Sequence, residues 1–351
     1  MPDVPAEFNQ KLNAILTATL DYYEDTLADN VFRSNVTLAK LREKGNITEQ
    51  NGGSRIIQPL MYGRNPTIQS YSGYDKFKVE QSDGISGAVY NWRQIGGSII
   101  ISRLEERVNS GDQALFNLLE KKVKQAEMTL QEKVNNQLIN SFDEGNAGKD
   151  LTPLFKIVDP EPTTGVVGSI DAANHEWWRN RVETSDADSV TDLKQELRTL
   201  YNVCSRGGLN SRPDLTLTDQ ITYEQYEDSL DEKQRYVDTD IADLGFENLK
   251  LKGGVIAWEE VMPDVENLNE FDLEDEFDKD SNPETGTALM LNTEHIELVV
   301  DKETRFKTTE FKEAHDQDAS IAKLLFMGNM TCNNRAKQGV LKNIDRDLST
   351  S

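Results

Sequence analysis

Apolar residues recur at spacings of three and four through Phe8, Leu12, Ile15, Leu16, Leu20 and Tyr23, which predicts a mostly helical stretch over 7–44. Leu27, Val31, Leu38 and Leu41 continue it less regularly, and Gly45-Asn46 ends it. The same period is strongest over 112–142, where Leu115, Leu118, Leu119, Val123, Ala126, Leu130, Val134, Leu138 and Phe142 share a face. At ~1.5 Å per residue, about thirty residues give a rod near ~45 Å. Asp112, after Gly111, is its expected N-cap, and Gly145 closes the region. Shorter helices are expected through Leu193, Leu197, Leu200, Tyr201 and Cys204, ended by Gly207-Gly208, and over 223–230.

A period of two marks the strands. They are expected at 56–62, 215–217, 288–291, 296–300, 321–330 and 340–344, with a hairpin over 249–258. A Gly253-Gly254 turn in that hairpin would set Leu251 opposite Ile256 and Leu249 opposite Trp258. Residues 51–54 read as a flexible joint, 63–66 as a break and 150–168 as a proline-bearing loop.

A longer hairpin is expected over 74–93, turning at Asp83-Gly84. That turn would set Val79 against Ala88, Phe77 against Tyr90 and Asp75 against Trp92. Phe77, Val79, Ala88, Tyr90 and Trp92 then share an apolar face. Tyr74, Lys76, Lys78, Glu80, Val89, Asn91 and Arg93 share the other, largely basic one. The second strand would run on through Gly96-Gly97 to 99–101. A ribbon of about ten residues a strand is ~33 Å long. A lone two-stranded ribbon is marginal in water, so its apolar face must cover something. The expectation is a neighbouring copy, with Phe77, Val79, Tyr90, Trp92, Lys76, Lys78 and Arg93 as intersubunit contacts.

Composition adds bounds. A chain of 351 residues predicts about two domains. With 36% hydrophobic and 28% charged residues it falls in the range of globular proteins. No apolar run approaches the ~18 residues of a membrane span, and the first residues lack the basic and apolar segments of a signal peptide. Cys204 and Cys332 lie far apart and read as free thiols of a cytosolic protein. A net charge of −24 argues against sequence-specific nucleic-acid binding, but does not exclude a container whose wall must not hold its contents tightly. The most biased run, 265–284, carries Glu266, Glu270, Asp272, Glu274, Asp275, Glu276, Asp278, Asp280 and Glu284 against Lys279, and reads as a solvated loop.

Catalytic patterns are weak. His175, His295 and His315 show no ligand spacing, and neither a GxSxG elbow nor a phosphate-binding loop with its lysine occurs. Asp278, Asp280 and Asn282 have the spacing that opens an EF-hand, but Pro283 and Leu289 stand where it needs glycine and glutamate. The expectation is no enzyme, no metal and no cofactor; a hydrolase using paired carboxylates is the distant alternative. The pair Trp177-Trp178, followed by Arg179 and Asn180, reads as a core anchor at a domain junction or as an interface anchor, since Trp and Arg are enriched at binding hot spots.

These features together resemble a tailed-phage major capsid protein of the HK97-like fold. The resemblance is carried by Gln58-Pro59-Leu60-Met61-Tyr62-Gly63, Ser70-Tyr71-Ser72-Gly73-Tyr74-Asp75, the hairpin, the long helix, Trp177-Trp178-Arg179-Asn180 and 334–341. It implies an α+β architecture: an N-terminal helical arm (1–50), an extended β-hairpin loop (51–101), a peripheral domain with a long spine helix (102–189 and 305–351) and an axial domain (190–304). It implies self-assembly into pentamers and hexamers of an icosahedral shell, which encloses double-stranded DNA without sequence-specific binding. The loop starts too early to leave room for a built-in scaffolding segment, so a separate scaffolding protein is expected, with a portal and a decoration protein as further partners. The expected location is the virion, after assembly in the host cytoplasm and without a membrane. An encapsulin-like nanocompartment is the alternative. Some relatives join subunits by a Lys–Asn isopeptide bond; Lys76 and Lys78 with Asn329, Asn333 or Asn334 have the residue types, but no cross-link is expected.

Overall fold

A computed structural model describes residues 35–63, 65–80, 84–104, 112–139, 144–206, 212–230, 248–259, 262, 285–313 and 318–349. The expected helical stretch up to residue 34, the glycines expected to end the helix at 207–208 and the acidic run 265–284 lie outside these residues. Strands are numbered along the chain.

Two six-stranded sheets carry the molecule. The first is organised by β15 (Ala319–Cys332), whose burial is nearly continuous from Gly328 to Cys332. Along one edge it pairs antiparallel with β4 (Arg93–Ser102), Ala319 meeting Ser102 and Gly328 meeting Arg93. Along the other it pairs with β12 (Ile296–Asp301), β13 (Lys307–Thr308) and β14 (Lys312–Glu313). Strand β1 (Ile47–Gln50) extends the sheet by pairing parallel with β12. The second sheet has the order β7-β16-β11-β8-β10-β9. Its members are β7 (Arg181–Thr184), β8 (Leu215–Thr218), β9 (Asn248–Leu251), β10 (Gly254–Trp258), β11 (Thr285–Leu291) and β16 (Gly339–Asp345).

Helix α1 (Val36–Glu43) is capped by Asn35, whose side chain accepts from the N–H groups of Thr37 and Leu38, and the chain turns at Gly45 with φ 72° as expected. Helix α2 (Asp112–Ile139) is the expected rod, ~42 Å long at ~1.5 Å per residue. Its described residues begin at Asp112, and Gly111 before it lies outside them. Its Val123, Leu130, Val134 and Leu138 pack with Ile95, Ile99 and Ile101 of β4 in the main core. Helices α3 (Val190–Cys204) and α4 (Gln220–Asp228) cover the second sheet; Leu193, Leu197, Leu200 and Cys204 meet Met290, Leu341 and Ile344 there.

Two expectations need correction. The 249–258 hairpin forms, but Leu251 pairs with Gly254 and Leu249 with Ile256, so the turn is Lys252-Gly253, with Lys252 at φ 53°. Residues 150–168 contain a helical turn, Leu154–Ile157, with Leu154, Phe155 and Ile157 buried in the main core, and a strand β5 (Val166–Val167) that pairs with β6 (Ile170–Asp171). Sheet membership joins strands that are distant in sequence. Strands β7 and β16 join β8–β11, while β12 joins β4 and β15. The main core likewise runs from Ile95 and Leu138 through to Leu217 and Leu289.

Candidate assembly surface

Strand β2 (Ile56–Met61) pairs antiparallel with β3 (Ile85–Tyr90), Ile56 opposite Tyr90 and Met61 opposite Ile85. The expected 74–93 hairpin is therefore replaced by a ribbon whose two strands are joined by 62–84. A two-residue turn at Asp83-Gly84 would have satisfied only local preferences. The partner chosen, with Ile56, Gln58 and Leu60 alternating inward, gives β3 a buried face as well.

That inward face is the root of the loop. Ile56, Leu60, Ala88 and Tyr90 pack with Val167, Ile170, Trp178 and Val299. Tyr90 Oη donates to the Cys332 carbonyl at 3.0 Å and accepts from the Cys332 N–H at 3.2 Å. Burial drives the Tyr90 phenol well above its ordinary pKa, so it stays a neutral donor. Trp178 Nε1 donates to the Val167 carbonyl at 3.0 Å, and Trp92 Nε1 to Gly53 at 2.8 Å. The Val89 N–H donates to the Gly168 carbonyl at 2.9 Å. Gly168 is required there: its φ is +60°, and a Cβ on it would lie 2.8 Å from Ala88 Cβ and 3.1 Å from the Tyr90 ring.

The remainder of the ribbon is bare. Met61 is 82% exposed, Ile68 82%, Phe77 59% and Val79 94%, and Ile57, Tyr71, Tyr74 and Ile85 are exposed as well. Tyr71 and Phe77 touch each other, ring centroids 4.8 Å apart, without being covered. Lys76 and Lys78 are exposed, Lys78 lying 3.7 Å from Glu80. An apolar stretch of this kind, on a segment with no core of its own, marks a surface meant to be covered.

Of the residues expected to meet a neighbour, Phe77, Val79, Lys76 and Lys78 stand on this exposed arc. Tyr90 does not; it is sealed inside its own chain, because β3 turns Ala88 and Tyr90 toward Val167 and Trp178. Trp92 is half-buried at the root. Arg93 starts β4 and pairs with Glu144. Trp178 is core; Trp177 is half-buried and stacks on Tyr62 at 4.6 Å. Arg179 donates to the carbonyls of Ala172 and Ala173. The Asn329 amide is buried and committed, accepting from Thr152 and Met330 and donating to Asn91. Asn333 pairs with His295 Nδ1 at 2.7 Å.

Sequence reasoning missed two buried charges. Arg335, fully buried, donates through Nε to the Ile157 carbonyl at 2.6 Å and through one terminal nitrogen to Asn180 Oδ1 at 3.2 Å. Desolvation lowers its pKa, opposed by the thiol of Cys332 and by Asp159. Glu259, at the end of β10, accepts from the Val36 N–H at the start of α1, and burial pushes its carboxyl up to about 7. A sequence signal existed for neither, because both depend on distant backbone.

No family model matches the chain, and no curated protein sequence matches it. Solved structures do. The capsid of cyanophage A-1(L) is similar over 89% of this chain and 93% of that chain, with a TM-score of 0.61 and 14% identity. The chain has the HK97-like capsid fold. The capsid of Myoviridae phage XM1 matches over 87% of this chain and 92% of that one at a TM-score of 0.50 and 9% identity. The capsid of a native GTA particle matches over 88% and 91% at 0.50 and 10% identity.

Proposed function

We propose that the protein is a major capsid protein, whose copies close into pentamers and hexamers and tile an icosahedral shell around double-stranded DNA. The observation that carries this reading is the loop. Its root is fixed in the core while Met61, Ile68, Phe77 and Val79 are left uncovered. Burying one large apolar side chain is worth about 1.5–3 kcal/mol, so four such residues per copy supply ample adhesion across a repeated contact. The capsid fold shared with cyanophage A-1(L) supports the same reading. On it, 1–50 form the arm, 51–101 the extended loop, and the sheets around β15 and β11 the cores of a peripheral and an axial domain. A separate scaffolding protein, a portal and a decoration protein are the partners this architecture calls for, and the virion is its location. The work is geometric and requires no catalytic residue or cofactor.

Electron microscopy of the purified protein tests the reading. Closed particles containing double-stranded DNA after production in the presence of the packaging proteins are expected. A strictly monomeric chain at high concentration rejects the shell, and closed particles filled with enzyme in place of DNA favour the nanocompartment.

A further inference from the structure

A groove of about 400 Å³ lies beside the loop root, with the Tyr62–Trp177 stack as one wall and Arg181, Arg206 and Lys337 around it. Arg181 and Arg206 are exposed; Lys337 donates to the Arg206 carbonyl, so its ammonium is held at the groove. Three cations beside an aromatic wall are conspicuous on a chain of net charge −24. The groove suits an anionic segment that also carries aromatic or aliphatic side chains.

The chain contains one such segment. Between Glu266 and Asp280 the carboxylates are interrupted by Leu268, Phe271, Leu273 and Phe277. The residues that flank it fix where it leaves the body. Strand β10 ends at Trp258, opposite Thr218, and β11 starts at Thr285, opposite Asp345. Arg181 is instead opposite Gly339, at the start of β16. The residues that flank the acidic segment and the basic groove therefore lie at opposite ends of one sheet, separated by the length of β16, ~20 Å at ~3.3 Å per residue. A donor at one end and an acceptor at the other is the arrangement of a head-to-tail contact, the type that closes into rings.

We propose that this groove docks the acidic segment 265–280 of a second copy of the chain. The inference deepens the shell reading, on which it rests, by naming a contact within its rings.

The test uses the full-length chain in two variants. One reverses the groove (Arg181→Glu with Arg206→Glu). The other reverses the segment (Glu270→Lys, Asp272→Lys, Glu274→Lys and Asp275→Lys). Each alone should cut particle yield, read by light scattering and microscopy, at least tenfold. An equimolar mixture should restore six-membered rings, read by microscopy, because an even ring lets the two variants alternate so that each one's groove meets the other's segment with opposite charge; a five-membered ring cannot alternate, so closed shells are not expected from the mixture. A mixture that forms no six-membered rings, while a chain carrying both reversals assembles, places the segment in its own groove and overturns the proposal. Variants that assemble like wild type also overturn it. A labelled peptide of sequence 265–280 keeps the test independent of shell formation. It should bind the wild-type chain, weaken with added salt, and lose at least tenfold in affinity to the Arg181→Glu, Arg206→Glu chain. Equal binding to both chains rejects the groove even if no particle forms.

Discussion

Replacing Gly168 with alanine should loosen the root of the extended loop. Two costs add. The backbone sits at φ +60°, where a side chain costs about 1–2 kcal/mol. The new Cβ would also stand 2.8 Å from Ala88 Cβ, where carbon atoms prefer about 3.5–4.0 Å. Neither neighbour can step aside. Ala88 has no rotamer to change, and the Tyr90 ring is pinned by its two hydrogen bonds to Cys332. Overpacking of this kind costs about 1–3 kcal/mol, so the sum is about 2–5 kcal/mol. At about 2 °C per kcal/mol for a chain of this size, the melting temperature should fall by about 4–10 °C. Differential scanning calorimetry on unassembled chains measures it. Gly97→Ala is the control, since nothing lies within 4 Å of a Cβ there. A Gly168→Ala chain melting within one degree of wild type would refute the reasoning about the root.

Four further outcomes follow from the same structure. Phe77→Ser should leave the unfolding free energy of unassembled chains, read by urea titration, within about 0.5 kcal/mol of wild type as is typical of surface changes, yet reduce particle yield; a large loss of stability would mean the tip packs on its own body. Glu259 has its folded pKa raised from 4.5 to about 7, so the folded state holds the extra proton and this group's contribution declines as pH rises from about 4.5 to 7. Glu259→Gln keeps an acceptor for Val36 and should flatten that slope, gaining up to about 3 kcal/mol at pH 8 in urea titrations; an unchanged slope places the pH dependence elsewhere. Arg335→Met removes a fully buried guanidinium and strands the carbonyl of Ile157, so urea unfolding should show a loss of about 1–3 kcal/mol, and no loss would mean its hydrogen bonds are dispensable. Cys204 and Cys332 are buried, with burial pushing both thiols up to about 12, so a thiol reagent should modify them only on unfolding, and fast labelling of the native chain would contradict their burial.

The elements were legible where one period ran long enough. Helix α2 was visible because its apolar positions repeat over many turns, and β15 and β16 because apolar residues crowd a short window. Pairing was the weaker inference. The alternation of Phe77 and Val79 is real, but it belongs to a segment without a partner strand, and the true partner of β3 lies across residues 62–84. The local turn rule favoured Asp83-Gly84 and could not register that Ile56 and Leu60 offered a buried face. The same limit misplaced the turn at Lys252-Gly253 by one residue, which moved the cross-strand partners by two. Sheet membership was hidden for a related reason: β16 and β12 bury successive residues on both faces, Val340 with Leu341 and Leu298 with Val299, so their sequences do not say which sheet they join.

The ladder between β4 and β15 has a mechanical consequence. Strand β4 begins at Arg93, three residues after the loop's last strand, and is bonded to β15 continuously from Arg93 to Ser102. Ladder hydrogen bonds lie across the strand direction. A pull on the loop along β4 would therefore strain the whole ladder at once, in shear, instead of peeling it open pair by pair. The loop is tethered like a strap glued along its length, and tension reaching it from outside should spread into the sheet before it can tear the root.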